Sequence, residues 1–230
     1  MERRTFLKIM TALGVGILSF GRMMKSWAKG LPSDPDGQPG GAGGADVIVL
    51  PPFEKTHAFP LEQALLLRKT SRSYDGSRAL TREEISRLLW ATAGANRPDG
   101  HRTVPSAVAK YPVDVLVALP EGVYRYDPRE HRLFRILADD IRDKIPNQDI
   151  FKKAAMHVLY AIVKERVPRG RIEFADVEIG CMGQALFLEA VALGMGSCIY
   201  ASIRLEDVTK ILRIKEDQIL RLAQAVGPTQ

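Results

Sequence analysis

The sequence predicts an α+β domain in which a mostly antiparallel sheet is flanked by helices. Short β-rich runs follow one another through tight turns, long helical stretches are present, and helices and strands alternate without a strict β-α-β repeat. The turn Pro120-Glu121-Gly122 joins the run 113–119 to the run 123–126, and Asp127-Pro128 leads into 133–137. Strands joined by such short connections pair in antiparallel order, which favours this class over a parallel sheet.

The helices are predicted from apolar spacing and from capping residues. Thr81 and Glu84 form a capping box, the apolar residues after them share one helical face, and Gly94 closes the helix. A long helix is predicted over 177–193, ended by Gly194. The other predicted elements are helices over 61–69, 139–155 and 205–212, and strands over 47–50, 157–163, 197–203 and 220–226.

The composition is typical of a globular domain, and the charge argues against a protein that binds nucleic acid. The 230 residues are 46% hydrophobic and 26% charged, which is ordinary for a folded chain. The formal charge is +6, but five basic residues and Glu2 within residues 1–28 account for +4 of it. The rest of the chain carries too little positive charge for a phosphate-backbone surface, so we expect no nucleic-acid partner.

Residues 1–28 have the three parts of a secretory signal: a charged head, an apolar run over 9–20 and small residues around Ala28. The pair Arg3-Arg4, followed by Phe6-Leu7-Lys8, is typical of a twin-arginine signal. We therefore expect the twin-arginine machinery to export the folded chain to the periplasm or otherwise out of the cytoplasm. An uncleaved membrane anchor is the alternative reading. This export route suits a protein that has already taken up a cofactor.

Residues 29–46 contain six Gly and three Pro. Such a stretch buries little apolar surface, so it is predicted to be a flexible linker. The folded domain is then expected over residues 47–230.

Two polar segments are candidate binding sites. Arg68, Lys69 and Arg72 bracket two hydroxyl residues, and guanidinium groups bind phosphate well. Arg68 and Arg72 are four residues apart and would face one anion if the predicted helix continued through them. A solvated helix end is the alternative reading of this cluster. The second segment, 102–107, carries Ser106 and nearby amides that could meet the edge of a ligand, although an ordinary loop explains it equally well.

These segments and several others occur in an order that resembles the SagB/thiazole-oxidase branch of the FMN-dependent nitroreductase superfamily. No single motif decides the resemblance, but their joint order over about 47–227 is specific. The matching pieces are Ile48-Val49-Leu50-Pro51-Pro52, Arg68-Lys69-Thr70-Ser71-Arg72-Ser73-Tyr74, Leu88-Leu89-Trp90-Ala91 with Gly94, Arg102-Thr103-Val104-Pro105-Ser106-Ala107, Tyr111-Pro112, Gly122-Val123-Tyr124-Arg125-Tyr126-Asp127, Glu178-Ile179-Gly180 with Gln184, and Leu193-Gly194-Met195-Gly196.

The resemblance implies a nitroreductase-like fold, an FMN cofactor and roles for three groups of residues. The first group holds the FMN phosphate and ribityl chain, the second lies along the isoalloxazine ring, and the third places strand-end backbone near the reactive edge of the flavin. In order, the groups are Arg68, Lys69, Thr70 and Arg72; Pro105, Ser106 and Ala107; and Ile199, Tyr200 and Ala201. Family members are homodimers whose FMN lies in the subunit interface, so each site is expected to take residues from both chains.

A flavin would carry the hydride at N5, so neither a catalytic side chain nor a metal is predicted. The substrate is expected to be a small organic molecule, and the electron donor is not identified by any residue. Two alternatives stay open: an exported flavin-binding or interaction domain without enzymatic activity, and an anion-binding periplasmic module.

Three departures from the branch bear on flavin affinity. Val108 and Ser202 stand where relatives commonly have glycine, and the sequence ends at Gln230, where many relatives continue with a basic tail that completes the phosphate site.

Cys181 and Cys198 flank about twelve helical residues, a span of roughly 18 Å that excludes a disulfide between them. The four histidines, at 57, 101, 131 and 157, share no metal-binding spacing.

Overall fold

A computed structural model describes residues 47–55 and 59–230. The predicted leader and linker, and His57, lie outside these described residues. Within them the strands are β1 Val47–Val49, β2 Val113–Leu119, β3 Gly122–Asp127, β4 Arg132–Leu137, β5 Met156–Val163, β6 Gly196–Tyr200 and β7 Gln218–Gly227. The α-helices are α1 Leu61–Leu67, α2 Arg82–Ala93, α3 Glu173–Ala192 and α4 Leu205–Leu212.

All seven strands form one sheet in the order β1-β4-β3-β2-β5-β7-β6, and every neighbouring pair is antiparallel. The consecutive strands β2, β3 and β4 are neighbours because only short turns connect them. β1 and β6 are the edge strands of the described sheet. The predicted α+β fold class is confirmed.

The core lies on both faces of the sheet, as the alternation along β2 shows. Val115 and Val117 pack with α2 and α3, whereas Leu116 and Ala118 pack with α4 and the 141–154 segment. Successive strand residues point to opposite faces, and both faces are covered here. This explains why β2 and β5 are almost entirely apolar rather than alternating with polar residues.

The capping box of α2 is confirmed. The Thr81 hydroxyl accepts the Glu84 N–H at 3.2 Å, and the Glu84 carboxylate accepts the Thr81 N–H at 2.8 Å. The helix ends at Ala93, and a side chain at Gly94 would collide with the Trp90 ring. The two termini of α2 are therefore fixed by residues that can be read directly from the sequence.

The helix predicted over 139–155 is wrong. This segment consists of turns with one 3-10 helix, Asp149–Phe151. Arg142 organises it, because its guanidinium binds the Asp140 carboxylate at 2.8 Å and the Ala155 carbonyl at 3.1 Å. Pro146 lacks the N–H that a helix would need at that point.

Other element ends differ from the predictions. α1 ends at Leu67 rather than at residue 69, α3 begins at Glu173 rather than at residue 177, and β6 ends at Tyr200 rather than at residue 203. Cys181 and Cys198 are both free, so the prediction that they do not pair with each other is confirmed. None of the helices in the described ranges is long and apolar enough to span a membrane.

Candidate functional site

The basic segment 68–72 lies against the start of edge strand β6. Thr70 forms a parallel bridge with Ser197, and the Ser71 N–H donates to the Ser197 carbonyl at 2.9 Å. The helical continuation that would have placed Arg68 and Arg72 on one face is therefore wrong. The chain leaves the helix at Arg68 because the backbone groups of Thr70 and Ser71 bond to β6 instead.

Residues 73–75 and the C-terminal residues hold this segment in place. The Tyr74 hydroxyl lies 2.9 Å from the Ser71 carbonyl and 3.3 Å from the Ala225 carbonyl. The Asp75 N–H donates to the Pro228 carbonyl at 2.9 Å. Gly196 is closely covered, since a Cβ there would lie only 2.6 Å from the Ser71 Cβ. The segment is thus fixed by the sheet rather than by a helix.

Within the described part of the chain, the three cations of the segment have no carboxylate partner. Among the described residues, neither Arg68 nor Lys69 nor Arg72 forms an ion pair with Asp or Glu. The Arg68 guanidinium lies 5.4 Å from the centroid of the Phe187 ring, on α3. Burial raises the pKa of the Cys198 thiol, and the positive charge of Arg72 opposes that shift. Unpaired cations clustered at one end of a strand favour an anionic ligand.

A buried polar network fixes the strand to which the basic segment is attached. The Tyr160 hydroxyl donates to Gln224 Oε1 at 2.8 Å, and Gln224 Nε2 donates to Ser197 Oγ at 2.9 Å and to the Gly183 carbonyl at 3.1 Å. The network therefore joins β5, β7, β6 and α3. Every polar atom of the Gln224 side chain is used, which makes a buried amide tolerable.

The predicted strand-end residues lie at the other end of β6. Four residues separate Ser197 from Ala201, roughly 13 Å along an extended strand. Tyr200 is buried, with its hydroxyl 2.8 Å from His157 Nδ1 and its ring stacked on Phe151 at 4.4 Å. Its side chain therefore points into the core, and the exposed residue at this end is Ala201.

His157 is structural rather than a group that titrates near neutral pH. Burial, with a smaller contribution from Arg142, lowers its pKa to about 3, so the imidazole is neutral under ordinary conditions. The Tyr200–His157 contact accordingly orients the end of β6 and carries no charge.

The second predicted group, Pro105, Ser106 and Ala107, lies in a strained loop. Ser106 Oγ accepts the Tyr111 N–H at 2.8 Å, and the Arg102 guanidinium stacks over the Tyr111 ring, 4.3 Å from its centroid. Val108, Ala109 and Tyr111 have φ values of 47°, 54° and 46°. These left-handed conformations disfavour residues with a Cβ, and a β-branched one above all. A glycine at position 108 would be free of this strain.

Glu178, on α3, belongs to the motif Glu178-Ile179-Gly180 but has no role predicted from the sequence. It is 1% exposed, and the polar groups next to its carboxylate are the Ser106 hydroxyl and the Val113 N–H, neither of which makes a hydrogen bond of ordinary geometry to it. Burial raises its pKa to about 7, against the smaller opposing effects of Ser106, Arg102 and Arg166. A signal was present, because Glu178 stands four residues before Met182 and eight before Leu186 on an apolar stripe.

α3 contacts all three predicted groups, but not on one face. Glu178 faces the 102–111 loop, Gly183 packs on Ile199, and Phe187 lies beside Arg68. At about 100° per residue, Gly183 and Phe187 are roughly 40° apart around the helix, whereas Glu178 and Phe187 are about 180° apart. The structure thus brings residues 68–72 and 199–201 together along β6. It places Pro105, Ser106 and Ala107 on the opposite side of α3.

Ser86, His131 and Tyr126 are joined by hydrogen bonds, but the direction of these bonds argues against nucleophilic catalysis. The buried Ser86 hydroxyl donates to the Pro51 carbonyl at 2.7 Å. The His131 Nε2–H must therefore donate to Ser86 Oγ at 2.6 Å, and the Tyr126 hydroxyl donates to Nδ1 at 2.8 Å. The serine is not activated, and the relay fixes the segment that follows β1.

A shallow pocket of about 390 Å³ lies beside α4, lined by Lys144, Arg204, Asp207, Lys210 and Ile211. It contains none of the predicted site residues. The described residues include no group of three or more His, Cys, Asp or Glu side chains arranged to hold a metal.

The antiparallel seven-stranded sheet flanked by helices is a nitroreductase-like fold. The family model described as "Nitroreductase family" matches residues 65–228. A nitroreductase relative from Methanocaldococcus jannaschii is 31% identical over 187 residues, covering 75% of this chain and 92% of the relative. The chain therefore belongs to the Nitroreductase family and is an oxidoreductase.

Solved structures agree with this assignment. A nitroreductase-type protein from Ralstonia eutropha JMP134 is 33% identical with a TM-score of 0.75, covering 80% of this chain and 90% of that one. A protein from Desulfovibrio desulfuricans, crystallised in complex with FMN, is 19% identical with a TM-score of 0.56, over 75% of this chain and 88% of that one. At that identity the second likeness concerns the fold alone.

Proposed function

We propose that this protein is an exported oxidoreductase of the SagB type that binds FMN at the β6 edge and transfers hydride to or from a small organic substrate. The observation that carries the proposal is the set of three cations, Arg68, Lys69 and Arg72, without carboxylate partners in the described ranges. Thr70, exposed between them, adds a hydroxyl donor. These residues suit the phosphate of FMN in number, charge and position.

The remaining predicted residues suit the other parts of the cofactor. Ala201 lies at the exposed end of β6 and would offer backbone groups to the ring, with Ile199 packed behind it on α3. When bound, FMN supplies hydride chemistry at N5. The chain supplies cations for the phosphate, backbone for the ring edge and an apolar helix behind both, which orient the ligand and exclude water.

A homodimer accounts for the position of the 105–107 loop. In one chain this loop lies across α3 from the β6 edge, so it would contribute to the site of the partner subunit. An apolar surface supports the proposal, because Leu66 is 84% exposed and Val108 78% exposed, with further exposed apolar side chains on α1 and α3. The additional exposed residues are Leu61, Leu65, Leu67 and Val177. A second copy of this chain would bury them.

Export rests on the sequence of residues 1–28 alone. NAD(P)H is scarce outside the inner membrane, so we propose a quinone-linked or small-protein electron donor in its place. The predicted leader makes azoline oxidation during peptide maturation, a role found in this branch, a less suitable reaction here.

The test is to purify the protein and record its visible spectrum and its mass in solution with and without FMN. A yellow dimer that turns over quinones or nitroaromatics with dithionite as reductant supports the proposal. A colourless monomer after reconstitution with FMN contradicts it. Tight FMN binding without turnover would instead favour the non-enzymatic flavin-binding domain, an alternative to which the strained Val108 in the loop gives some support.

A further inference from the structure

The pocket beside α4 contains none of the residues assigned to the flavin, and its walls come from two separate parts of the chain. Lys144 belongs to the turn segment before β5, whereas Arg204, Asp207, Lys210 and Ile211 belong to α4 and to the residue that precedes it. Its volume of about 390 Å³ is within the range of sites that bind small molecules. The pocket is therefore large enough for a small organic ligand rather than for a single ion.

Backbone hydrogen bonds fix the two walls of the pocket relative to each other. The Arg204 N–H donates to the Ile145 carbonyl at 2.9 Å, and the Asn147 N–H donates to the Ser202 carbonyl at 2.9 Å. An antiparallel bridge lies between these two contacts. The fold itself therefore sets the position of the Lys144 backbone relative to α4, so the positive charges of the two walls are held around one concave surface.

Positive charge predominates in this pocket. Three of the five lining residues are cations and one, Asp207, is an anion, so the lining carries a net charge of +2 (three minus one). Among the described residues, none of the three cations forms an ion pair with a carboxylate. The nearby carboxylate of Asp149 is already paired with Lys152 at 2.6 Å. Cations gathered in a concave surface without carboxylate partners attract an anionic ligand.

We propose that this pocket is a second anion site, separate from the basic segment 68–72, and that it binds a small organic dianion, either a dicarboxylate or a phosphate monoester. The net charge of +2 matches the two negative charges of such a ligand. Arg204, which is half-buried, offers a planar set of N–H donors to one carboxylate or phosphate group. Lys144 and Lys210 add exposed ammonium groups from the two walls, and Ile211 adds an apolar surface for the carbon chain.

The experiment titrates succinate into the full chain at low ionic strength and follows the heat of binding. Succinate should bind, whereas succinamide, which has a similar shape without the charges, should not. Inorganic phosphate is the second probe. Binding of succinate alone supports the site and identifies dicarboxylates as its ligands, and binding of phosphate alone supports it for phosphate monoesters. If neither probe binds, or if succinamide binds as well as succinate does, the proposal is overturned.

Variants locate the bound anion. Arg204→Gln should weaken binding of the anion about tenfold, which is the effect of losing one charge-assisted hydrogen bond. Arg213→Gln is the matched control, because it removes an exposed cation just after α4 that does not line the pocket, and it should bind as the wild type does. Equal affinities for the two variants would overturn the proposal.

Saturation with FMN separates this site from the flavin site. Binding of the anion should be unchanged in FMN-saturated protein, because the flavin phosphate is assigned to the basic segment 68–72. Competition between FMN and the anion would place both in one site and overturn the proposal. A protein that binds the anion but no FMN would defeat the flavin site and retain this one.

A second measurement uses the wild type alone, so it does not depend on the folding of a variant. The bound anion should protect Lys144 and Lys210 from acetylation by acetic anhydride, as measured by mass spectrometry. Lys215, which is exposed and does not line the pocket, should be acetylated at the same rate with and without the anion. If the anion leaves the acetylation of Lys144 and Lys210 unchanged, the anion is bound elsewhere and the proposal is overturned.

Discussion

The two regions on either side of α3 are built by opposite means. At the β6 edge, the basic segment is attached to a strand whose buried polar groups are satisfied through Gln224. In the 102–111 loop, three residues hold left-handed backbone angles above the buried carboxyl of Glu178. The first region is stabilised by its polar contacts, whereas the second is held in a costly arrangement by the rest of the fold. The comparison predicts that mutations will destabilise the first region and can stabilise the second.

The largest loss is expected from Gln224→Ala. The change removes the shared partner of Tyr160, Ser197 and Gly183 and leaves a cavity, so the free energy of unfolding should fall by about 4 kcal/mol. Urea denaturation measures this loss. Gln218→Ala, on the same strand but partly exposed, is the control and should cost less than about 1 kcal/mol. Equal losses for the two variants would show that the network does not hold the edge strand.

The next prediction concerns how the free energy of unfolding depends on pH, through Glu178 beneath the 102–111 loop. Because Glu178 has a pKa of about 7 when folded and about 4.5 when unfolded, the unfolded chain binds fewer protons between these values. The contribution of Glu178 to the free energy of unfolding should therefore be greatest below about pH 4.5. It should fall by roughly 3 kcal/mol as the pH rises through 7. Glu178→Gln should remove this decline and be the more stable protein at pH 8, as measured by denaturation at each pH. Parallel curves for the two proteins would contradict the burial argument.

The next smaller effect is on FMN affinity, and it tests the role of the basic segment 68–72. Arg68→Ala should weaken FMN binding by about 2 kcal/mol, or roughly thirtyfold, since one charge-assisted contact to phosphate is lost. Isothermal titration measures the affinity. Arg82→Ala removes a cation of α2 that is paired with Glu121 of the β2–β3 turn, and it should leave the affinity unchanged. If both variants bind FMN as the wild type does, the phosphate is held elsewhere.

The elements that the sequence predicts correctly depend on interactions between residues that are close together in the chain. The α2 cap depends on Thr81 and Glu84, three residues apart, and α4 was predicted with its bounds intact because its apolar spacing is local. The strands β2, β3 and β4 are predictable because each is joined to the next by a short turn that the sequence itself marks. Burial of β2 on both faces strengthened its signal as an apolar run.

What the sequence could not predict depends on distant partners. The segment after α1 has helical spacing, but its backbone bonds to Ser197, more than a hundred residues away. The 139–155 segment is predicted as a helix from its sequence. In the structure Arg142 instead binds the carbonyl of Ala155, and the segment forms turns. Glu178 is buried only when the 102–111 loop folds over α3. No local sequence pattern therefore predicts its raised pKa.

The smallest expected effect is a gain, and it is the sharpest test of the contrast between the two regions. Val108 is 78% exposed, so Val108→Gly loses little buried surface while removing a β-branched side chain from a φ of 47°. Glycine also makes the unfolded chain more flexible, which offsets part of the benefit, and we expect a net gain of about 0.5–1 kcal/mol. Val108→Ala keeps the Cβ and should gain less. A loss of stability with glycine would mean that the left-handed angles cost nothing here and that the loop is no less relaxed than the β6 edge.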